Sequence, residues 1–282
     1  MLGTITDGIL KWKAAKNLGR HTRSQVVSVC SRKGGVGKTT TAVHLAIAVA
    51  RWHHMRVLVI DMDPQGHVVT ALSSVIHRGE QASPLSTVLM DRNGELLDAC
   101  LPTELPNLWV VPADPNLEQT QVMLATRIGR EFVLKTAMQK AEDMFDLIVI
   151  DCPPNLDTLS LNALVASQHV LVPTDLSLLG IEGVSDITDA VDTIRHRLGI
   201  PLEVAGIMVS RMDGRNKVIN RELTRMLEQR FGHLVLDTRV PNNTAVARAC
   251  LQGRPVYDFD PGATAASSYK ELTDELLQRI DA

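Results

Sequence analysis

The chain has few aromatic residues and few cysteines, and it has no long apolar run. Aromatic side chains make up 3% of its 282 residues, which argues against a binding surface built on stacked nucleobases. The four cysteines lie far apart without a CxxC pair, which predicts four separate, reduced and mostly buried thiols rather than a zinc or redox site. No segment approaches the ~20 apolar residues of a membrane-spanning helix. The first residues also lack the apolar core of a secretory signal.

The overall charge gives little indication of a partner. The chain carries 29 Lys plus Arg against 32 Asp plus Glu, a net charge of −3, so any basic surface that binds nucleic acid must be local. An apolar share of 45% is enough to build a sizeable core. These values exclude a disordered tail protein, a collagen-like fibre and a disulfide scaffold.

Short apolar runs alternate with longer segments of helical period. The runs are rich in Val, Ile and Leu without polar alternation, which is typical of strands buried on both faces of a parallel sheet. The predicted strands are residues 26–30, 57–61, 108–112, 147–151, 170–173, 204–210 and a short one at 234–236. The alternation predicts an α/β fold, a single doubly wound domain whose mostly parallel sheet is flanked by helices.

Several helices are predicted from apolar stripes, two of them at residues 180–199 and 216–231. The apolar stripe of the second consists of Ile219, Leu223, Met226 and Leu227. The last helix is predicted to begin near Ser268, because Glu271 follows at the spacing of a capping box. Residues 76–107 are the least regular and are expected to carry loops and a short helix.

The strongest chemical signal is the sequence KGGVGKTT at residues 33–40, directly after the first predicted strand. Glycines in such a turn let backbone N–H groups point inward around phosphates, and the N-terminus of the following helix adds its dipole. The loop ends as a Walker A loop does, although Ser31 stands where the first glycine is normally found. Lys38 is predicted to reach the β- and γ-phosphates of a nucleotide, and the Thr39 hydroxyl to hold Mg²⁺.

With its extra lysine, Lys33, the loop resembles the deviant Walker A motif of the ParA/MinD ATPases. Residues 56–66, RVLVIDMDPQG, are similar to the second strand and switch I of that family, and residues 145–154, FDLIVIDCPP, to its Walker B strand and switch II. The resemblance implies a P-loop ATPase that uses ATP/ADP and Mg²⁺. It also divides the chain into a basic N-terminal extension, residues 1–24, and a ParA-like ATPase domain, residues 25–282.

The resemblance implies a role for each residue of the site. Asp63 would position or polarise the attacking water, and Lys33 would reach across a dimer to the phosphates of the partner subunit. Together with Lys38 these are the implied catalytic residues. The implied metal ligands are Thr39, Asp61 and Asp151. The implied nucleotide-binding residues are Lys33, Gly34, Gly35, Val36, Gly37, Lys38, Thr39 and Thr40, with Arg211, Pro241 and Asn243 for the adenine. The chain departs from the family pattern at His67 and Asp157, which puts the details of the switch response in question.

Two segments indicate a surface on which such an ATPase acts. Lys217, Arg221 and Arg225 share one face of a predicted helix, and Arg215 precedes them. This stripe is either a site for sequence-independent, salt-sensitive DNA binding or an ordinary solvated helix face. Residues 1–20 carry basic residues and apolar residues at helical spacing, which fits a short membrane-surface helix, a docking segment or a helix packed on its own domain.

The resemblance therefore implies a cytoplasmic, nucleoid-associated partitioning or positioning ATPase. Its ATP-dependent homodimer would bind non-specific DNA, and a ParB-like or cargo-adaptor protein would stimulate hydrolysis and release it. The alternative is a MinD-like ATPase that cycles on a membrane through residues 1–20. Iron–sulfur relatives with the same loop need two suitably placed cysteines, and Cys152 directly after Asp151 does not match their arrangement.

Overall fold

Strands alternate with helices throughout the computed structural model, which describes residues 24–76, 82–212 and 217–281. The strands are β1 (Gln25–Val29), β2 (Val57–Asp61), β3 (Leu101–Pro102), β4 (Leu108–Val111), β5 (Leu147–Asp151), β6 (His169–Thr174), β7 (Glu203–Met212) and β8 (Val235–Pro241). The α-helices are α1 (Lys38–Trp52), α2 (His67–Ala71), α3 (Leu85–Met90), α4 (Leu117–Leu124), α5 (Val133–Ala137), α6 (Gln139–Glu142), α7 (Thr158–Ala166), α8 (Leu178–Leu198), α9 (Lys217–Phe231), α10 (Thr244–Leu251), α11 (Val256–Phe259) and α12 (Thr264–Ile280). Short 3₁₀ helices span Leu96–Ala99, Arg130–Phe132 and Gly232–Leu234. Within these ranges no helix is long and apolar enough to span a bilayer.

These strands form one sheet in the order β3-β4-β2-β5-β1-β6-β7-β8. Neighbouring strands are parallel, except that β3 runs antiparallel to β4 at one edge. Because β1 lies inside the sheet, between β5 and β6, the chain builds the sheet outward in both directions from it. The predicted doubly wound α/β fold is confirmed.

Alternate residues of the central strands point into two separate apolar layers. Val27 and Val29 of β1 pack in the layer that holds α1 and α12, whereas Val26 packs in the layer that holds α7 and α8. Both faces of the sheet are therefore buried, which explains why its central strands are apolar without alternation. Six of the predicted strands are confirmed to within two residues at either end. The seventh, predicted at 234–236, continues to Pro241 as β8, and β3 was not predicted because two residues are too few to show a period.

The prediction for the last helix needs correction. The helix α12 begins at Thr264 rather than near Ser268, and no side chain caps its first turn. Ala265 and Ala266 are buried, and Ala266 packs in the apolar layer of α1, so tertiary packing extends the helix beyond the expected capping box. Its buried face otherwise matches the prediction.

The apolar stripe predicted for residues 216–231 is only partly buried. Leu227 of α9 is fully buried and Leu223 packs partly against the core, but Ile219 and Met226 are 57% and 41% exposed. The reason is the position of α9 beside β8, the edge strand of the sheet, where little apolar surface remains to be covered. The helix therefore presents both charged and apolar side chains to solvent.

Packing of α12 on the sheet predicts a strong response to a change at Leu272, which is 0% exposed. We expect Leu272→Ala to lower the free energy of unfolding by about 2–5 kcal/mol, because it removes buried methyl groups and leaves a cavity. Urea denaturation followed by circular dichroism measures the change. Leu251→Ala is the control, since Leu251 is 88% exposed and its loss should change the free energy by less than about 0.5 kcal/mol. Similar effects of the two changes would contradict this description of the core.

Candidate nucleotide site

The site lies where β1, β2 and β5 end side by side. In the parallel register Asp61 pairs with Asp151, and Asp151 pairs with Val29. Backbone hydrogen bonds continue past the strand ends, from the N–H of Met62 to the carbonyl of Asp151 and from the N–H of Cys152 to the carbonyl of Val29. Because parallel strands end at the same edge of a sheet, both carboxylates lie beside the loop that follows β1.

The phosphate loop ends in a helix that lacks a cap. Gly35 and Gly37 have φ angles of 75° and 86°, in the left-handed region that favours glycine. Gly37 is the N-cap residue of α1, where no side chain accepts a hydrogen bond from the first N–H groups and no acidic residue lies in the first turn. These N–H groups are therefore available to an anion, and the helix dipole favours one at this position.

Lys38 brings a positive charge into the same place. Its side chain is 8% exposed, and it forms no ion pair with an acidic side chain anywhere in the described part of the chain. The Asp151 carboxylate is near enough to attract it but forms no ion pair with it, and a buried ammonium group without a close counter-ion is costly. A phosphate bound at the first turn of α1 would supply that counter-ion, with Thr39 half-buried beside it. The residues present therefore fit a nucleotide phosphate.

Two buried carboxylates, Asp61 and Asp151, lie close to this position. Asp151 is 0% exposed, and neither carboxylate oxygen meets a hydrogen-bond partner among the residues described. Burial, together with the neighbouring Asp61 carboxylate, raises the pKa of Asp151 well above its usual range, and the nearby Thr39 and Lys38 offset part of this effect. Burial likewise raises the pKa of Asp61 to about 7.

Unsatisfied carboxylate oxygens fit a hard divalent cation such as Mg²⁺, which prefers oxygen ligands. Across residues 24–76, 82–212 and 217–281, however, no cluster of three or more His, Cys, Asp or Glu side chains could hold a metal ion by itself. A magnesium ion here would therefore take its remaining ligands from a hydroxyl group, phosphate or water.

Asp61 and Asp63 organise the loop after β2. The Asp61 carboxylate accepts hydrogen bonds from the backbone N–H groups of Asp63 and Val68, at 3.1 and 3.0 Å. Asp63 accepts one from the N–H of Gln65 at 3.0 Å and is itself buried. Asp61 thus uses one lone pair on each oxygen to hold the predicted switch I. Its assignment as a metal ligand stays a prediction.

Two side chains at the end of β7 bind the backbone of the phosphate loop. The Arg211 guanidinium donates from Nη1 to the carbonyl of Gly35 at 2.6 Å, and the Ser210 hydroxyl donates to the carbonyl of Val36 at 2.6 Å. Arg211 adopts a positive φ of 52°, which is uncommon for a residue other than glycine. The structure places Arg211 on the loop, and its predicted contact with adenine is untested. Ser210 was not predicted, although its place at the carboxyl end of a buried strand was a usable signal.

The other two predicted adenine residues lie at the same edge of the sheet. Pro241 ends β8 and pairs with Met212 at the end of β7. Asn243 caps α10 by accepting a hydrogen bond from the N–H of Ala245 at 2.8 Å, and its Nδ2 donates to Thr264 at 3.0 Å. Asn243 therefore has a structural role, and adenine contacts by either residue stay predictions.

The side chain of Lys33 binds to the segment between β6 and α8. Its ammonium group donates to Oδ2 of Asp175 at 2.5 Å and to Oγ of Ser177 at 3.0 Å. Both partners belong to the segment between β6 and α8. The sequence did not indicate this contact, because the residues are more than one hundred positions apart along the chain.

Cys30 and Cys152 are neighbours rather than separate thiols. They follow the paired ends of β1 and β5, and both are buried, as is Cys100, whereas Cys250 is exposed. The hydrogen bond with Cys30, followed by burial, holds the pKa of Cys152 well above its usual range. The prediction of reduced and mostly buried thiols is confirmed, since all four are free and three are buried. The strand register brings two of them close together without a disulfide.

The basic stripe predicted for DNA lies on α9. Lys217, Arg221 and Arg225 are exposed, and they line an open cavity of about 520 Å³ together with Glu228. Arg215 and residues 1–23 lie outside the described residues. The structure thus confirms that the three basic residues share an accessible face, and it leaves their ligand open.

Asp157 has a clear local role. Its carboxylate caps α7 by accepting hydrogen bonds from the N–H groups of Leu159 and Ser160, at 3.0 and 3.2 Å. The departure from the family pattern at this position is therefore a helix cap, which satisfies two of the free N–H groups of the switch II helix.

Comparisons with known proteins agree with this geometry. A family model described as an AAA domain matches residues 24–204. The chain is 34% identical to the chromosome partitioning protein ParA of Caulobacter vibrioides over 257 residues, which cover 90% of this chain and 94% of that protein.

Solved structures share the fold. Apo McdA of Cyanothece superposes with a TM-score of 0.80 at 23% identity, covering 90% of this chain and 99% of that one. Cobyrinic acid a,c-diamide synthase of Mycobacterium smegmatis, solved with ADP and magnesium, superposes with a TM-score of 0.75 at 28% identity, covering 92% and 96%. The sheet order and the phosphate loop thus define a P-loop nucleotide-binding protein. The chain belongs to the ParA/MinD family of P-loop ATPases with a deviant Walker A loop, and to its ParA-type members.

The buried carboxylates predict how the stability of the nucleotide-free protein depends on pH. Folding raises the pKa values of Asp61 and Asp151, so the folded state binds these protons more tightly than the unfolded state. That contribution to stability is present at low pH and is lost as the pH rises through the folded-state pKa values. Asp151→Asn removes one of the two charges. We expect it to raise the free energy of unfolding at pH 8 by about 1–3 kcal/mol, and by less at pH 5.

Urea denaturation of both proteins at the two pH values measures this difference. His44 is buried and its pKa is lowered to about 4, so it makes an opposite contribution to the pH dependence. His44 is common to both proteins, and the comparison of variant with parent cancels it. A stability difference of the same size at pH 5 and pH 8 would contradict titration of the carboxylates.

Proposed function

We propose that this chain is an ATP-dependent partitioning or positioning ATPase that hydrolyses ATP to ADP and phosphate in the presence of Mg²⁺. One observation carries the proposal. The uncapped first turn of α1 and the buried Lys38 form a cationic cradle, and the buried carboxylate of Asp151 lies near Lys38 and Thr39. Such a cradle for phosphate beside an oxygen site for magnesium is the arrangement that phosphoryl transfer requires.

In this proposal the phosphate loop binds and orients the nucleotide. Backbone N–H groups of residues 34–40 and the ammonium of Lys38 hold the β- and γ-phosphates in one orientation. Thr39 and Asp151 would hold Mg²⁺, and Asp61 would support its ligand shell. When bound, the ion neutralises charge on the phosphates. The presence of ADP and magnesium in the Mycobacterium smegmatis structure supports the use of both ligands.

Asp63 is the proposed catalytic carboxylate. It lies in the turn between β2 and α2, where its backbone and side chain are held by Asp61 and Gln65. From there it orients the attacking water and accepts its proton. Catalysis of this kind rests mainly on positioning and on charge neutralisation rather than on covalent chemistry.

Lys33 is proposed to act across a homodimer. ATP then lies between two subunits, and the Lys33 ammonium of each one stabilises charge on the phosphates of the other, as an arginine finger does. This role would make hydrolysis depend on dimer formation. Leu178 and Leu179, 60% and 69% exposed at the start of α8 beside the Lys33 contact, offer apolar surface for such an interface.

Separate variants test binding and hydrolysis. We expect Lys38→Ala to weaken ATP binding by about 10–100-fold, because it removes charge-assisted hydrogen bonds to phosphate. Asp63→Ala should bind ATP normally, lower the hydrolysis rate by about 10²–10⁴-fold and accumulate as an ATP-bound dimer. Fluorescent-nucleotide titration, phosphate release and light scattering measure these quantities. Lys270→Ala, at an exposed position of α12, is the control. An Asp63→Ala protein that turns over freely would rule out the role proposed for Asp63.

The basic face of α9 is the proposed DNA surface. Lys217, Arg221 and Arg225 are exposed on one side of the helix, and a dimer would present the face twice. Contacts of this kind go to phosphates, so binding would be independent of sequence and sensitive to salt. The relative from Caulobacter vibrioides is named as a chromosome partitioning protein, which supports a nucleoid-associated role in the cytoplasm. A ParB-like or cargo-adaptor partner would stimulate hydrolysis and release the DNA.

The double change Arg221→Ala with Arg225→Ala tests the DNA surface. We expect it to abolish retention on random-sequence duplex DNA in the presence of ATP while ATP-dependent dimerisation is kept. The slope of log affinity against log salt should fall by about 0.9 for each phosphate that the protein no longer neutralises. The matched control is Arg195→Ala with Arg197→Ala, which removes two exposed arginines from α8. Equal loss of DNA binding in both double variants would show that net charge, and not the basic face of α9, determines DNA binding.

Anionic liposomes, tested beside the DNA with the Asp63→Ala protein, distinguish the alternative. Retention on liposomes that disappears when residues 1–20 are deleted would favour a MinD-like membrane-cycling ATPase. The basic face of α9 would then be an ordinary solvated face.

A further inference from the structure

Residues 253–256, which lead from α10 into α11, bind two elements of the nucleotide site at once. At the start of this segment, the carbonyl of Gly253 accepts hydrogen bonds from the backbone N–H and the hydroxyl of Ser74, at 3.1 and 2.6 Å. At its end, the N–H of Val256 donates to Nε2 of His44 at 3.0 Å. Ser74 follows α2, the helix of switch I, and His44 belongs to α1, the helix that follows the phosphate loop. The segment therefore joins these two helices.

The contact at His44 defines the state of the imidazole ring. A backbone N–H can only donate, so Nε2 accepts the hydrogen bond from Val256, and we assign the ring hydrogen to Nδ1. Nδ1 then donates to the carbonyl of Thr40, in the first turn of α1, at 2.7 Å. His44 is buried, its ring stacks on that of Tyr269 with the centroids 4.8 Å apart, and burial lowers its pKa to about 4. A neutral, closely packed ring thus connects Thr40 with Val256.

The contact at the other end depends on the absence of a side chain from position 253. Gly253 has a φ angle of 62°, in the left-handed region. A Cβ atom here would lie 1.9 Å from Oγ of Ser73, and 3.2 Å from both Cβ of Ser73 and the backbone nitrogen of Ser74. Rotation of the Ser73 hydroxyl would remove the first clash, but the contacts at 3.2 Å would still require the turn after α2 to move. A side chain at position 253 therefore displaces the end of switch I.

The helix α2 is held at both of its ends. At its start, the N–H of Val68 donates to Oδ2 of Asp61 at 3.0 Å, and Val68 is fully buried. At its end, the turn that contains Ser74 is bound to Gly253. Asp63, the proposed catalytic carboxylate, lies in the turn that precedes α2. A displacement of α2 would therefore move Asp63 relative to the phosphate loop.

We propose that residues 253–256 are a positioning segment, which sets the place of switch I relative to the first turn of α1 and thereby places Asp63 for hydrolysis. The proposal rests on the catalytic role of Asp63 set out under Proposed function. The segment acts on the reaction through Ser74 and His44 and is not itself catalytic. Because a misplacement of about 1 Å at a reacting group lowers a rate about 10²-fold, a small shift of α2 is enough to slow hydrolysis.

The first test compares Gly253→Ala with Gly199→Ala. We expect Gly253→Ala to lower the rate of phosphate release at saturating ATP about tenfold and to change the dissociation constant of ATP less than about threefold, because the phosphate loop is unchanged. Gly199→Ala is the matched control. Gly199 has a φ angle of 65°, and a Cβ atom there would meet no described atom within 4 Å. Both changes carry the same backbone strain, so equal rates in the two variants would overturn the proposal.

Hydrogen exchange of the nucleotide-free protein, followed by mass spectrometry, measures how firmly α2 is held without any hydrolysis. We expect Gly253→Ala to speed exchange of the backbone N–H groups of α2 about two- to tenfold, because the turn that holds the end of the helix is displaced. Gly199→Ala should leave this exchange unchanged. Exchange that is equally slow in the two variants would show that Gly253 does not hold switch I and would overturn the positioning segment.

A double-mutant cycle tests whether the two ends act as one segment. His44→Phe keeps an aromatic ring beside Tyr269 and removes both hydrogen bonds of the imidazole. If both ends act through one segment, His44→Phe with Gly253→Ala should lose less activity than the product of the two single losses, by at least about threefold. His44→Phe with Gly199→Ala is the control and should give the product.

Losses that multiply in both double variants would make the two ends independent and would overturn the positioning segment. Unfolding midpoints show that each variant is folded at the assay temperature. If His44→Phe is not, His44→Asn takes its place in the cycle, because its shorter side chain does not reach the N–H of Val256.

The two proposals fail in different ways. If Asp63→Ala hydrolyses ATP as the parent protein does, the catalytic role of Asp63 is wrong whatever the hydrogen exchange shows. If Asp63→Ala is inactive but Gly253→Ala matches Gly199→Ala in rate and in exchange, the role of Asp63 stands and the positioning segment is wrong.

Discussion

The parallel register of β1, β2 and β5 places two carboxylates, Asp61 and Asp151, beside each other and beside the loop that follows β1. Burial and mutual repulsion make this arrangement unfavourable in the absence of a ligand, as the raised pKa values of both groups indicate. Lys38 lies near Asp151 and forms no ion pair among the residues described. An ammonium group and two carboxylates are thus buried close together. A bound phosphate would balance the charge of the ammonium group, and a bound cation would balance that of the carboxylates.

The phosphate loop is held from two sides, and each side has a different chemical character. At the end of β7, Ser210 and Arg211 donate hydrogen bonds to carbonyls of the loop itself, which fixes its backbone. At the start of α8, Asp175 and Ser177 hold the side chain of Lys33 and leave the backbone of the loop unaffected. The hydrogen bonds from Ser210 and Arg211 keep the backbone of the phosphate loop in one conformation. The second contact is a partly exposed ion pair between side chains.

The surfaces that would reach other molecules lie away from the two apolar layers. The helix α12 buries one whole face against the sheet and so contributes to stability, whereas α9 buries little and presents a basic face to solvent. A helix at the edge of a sheet can be changed at its surface with little cost to the core. Surface residues of α9 can therefore change while the layers around the nucleotide site stay the same.

The sequence by itself determined the fold class, six strands to within two residues, the phosphate loop and the identity of its acidic neighbours. These features are local, because apolar runs, glycine spacing and strand-terminal aspartates can be read within a few residues. The family resemblance then implied roles that the residues alone do not reveal, such as that proposed for Lys33.

The tertiary structure alone decided which distant groups meet. The start of α12 was set by burial of Ala265 and Ala266 rather than by a capping box, and the exposure of α9 followed from its place at the sheet edge. Strand register places the free thiols of Cys30 and Cys152 next to each other. The contact of Lys33 with Asp175 joins segments 142 residues apart. Such contacts depend on how separate elements pack, and no short stretch of sequence contains that information.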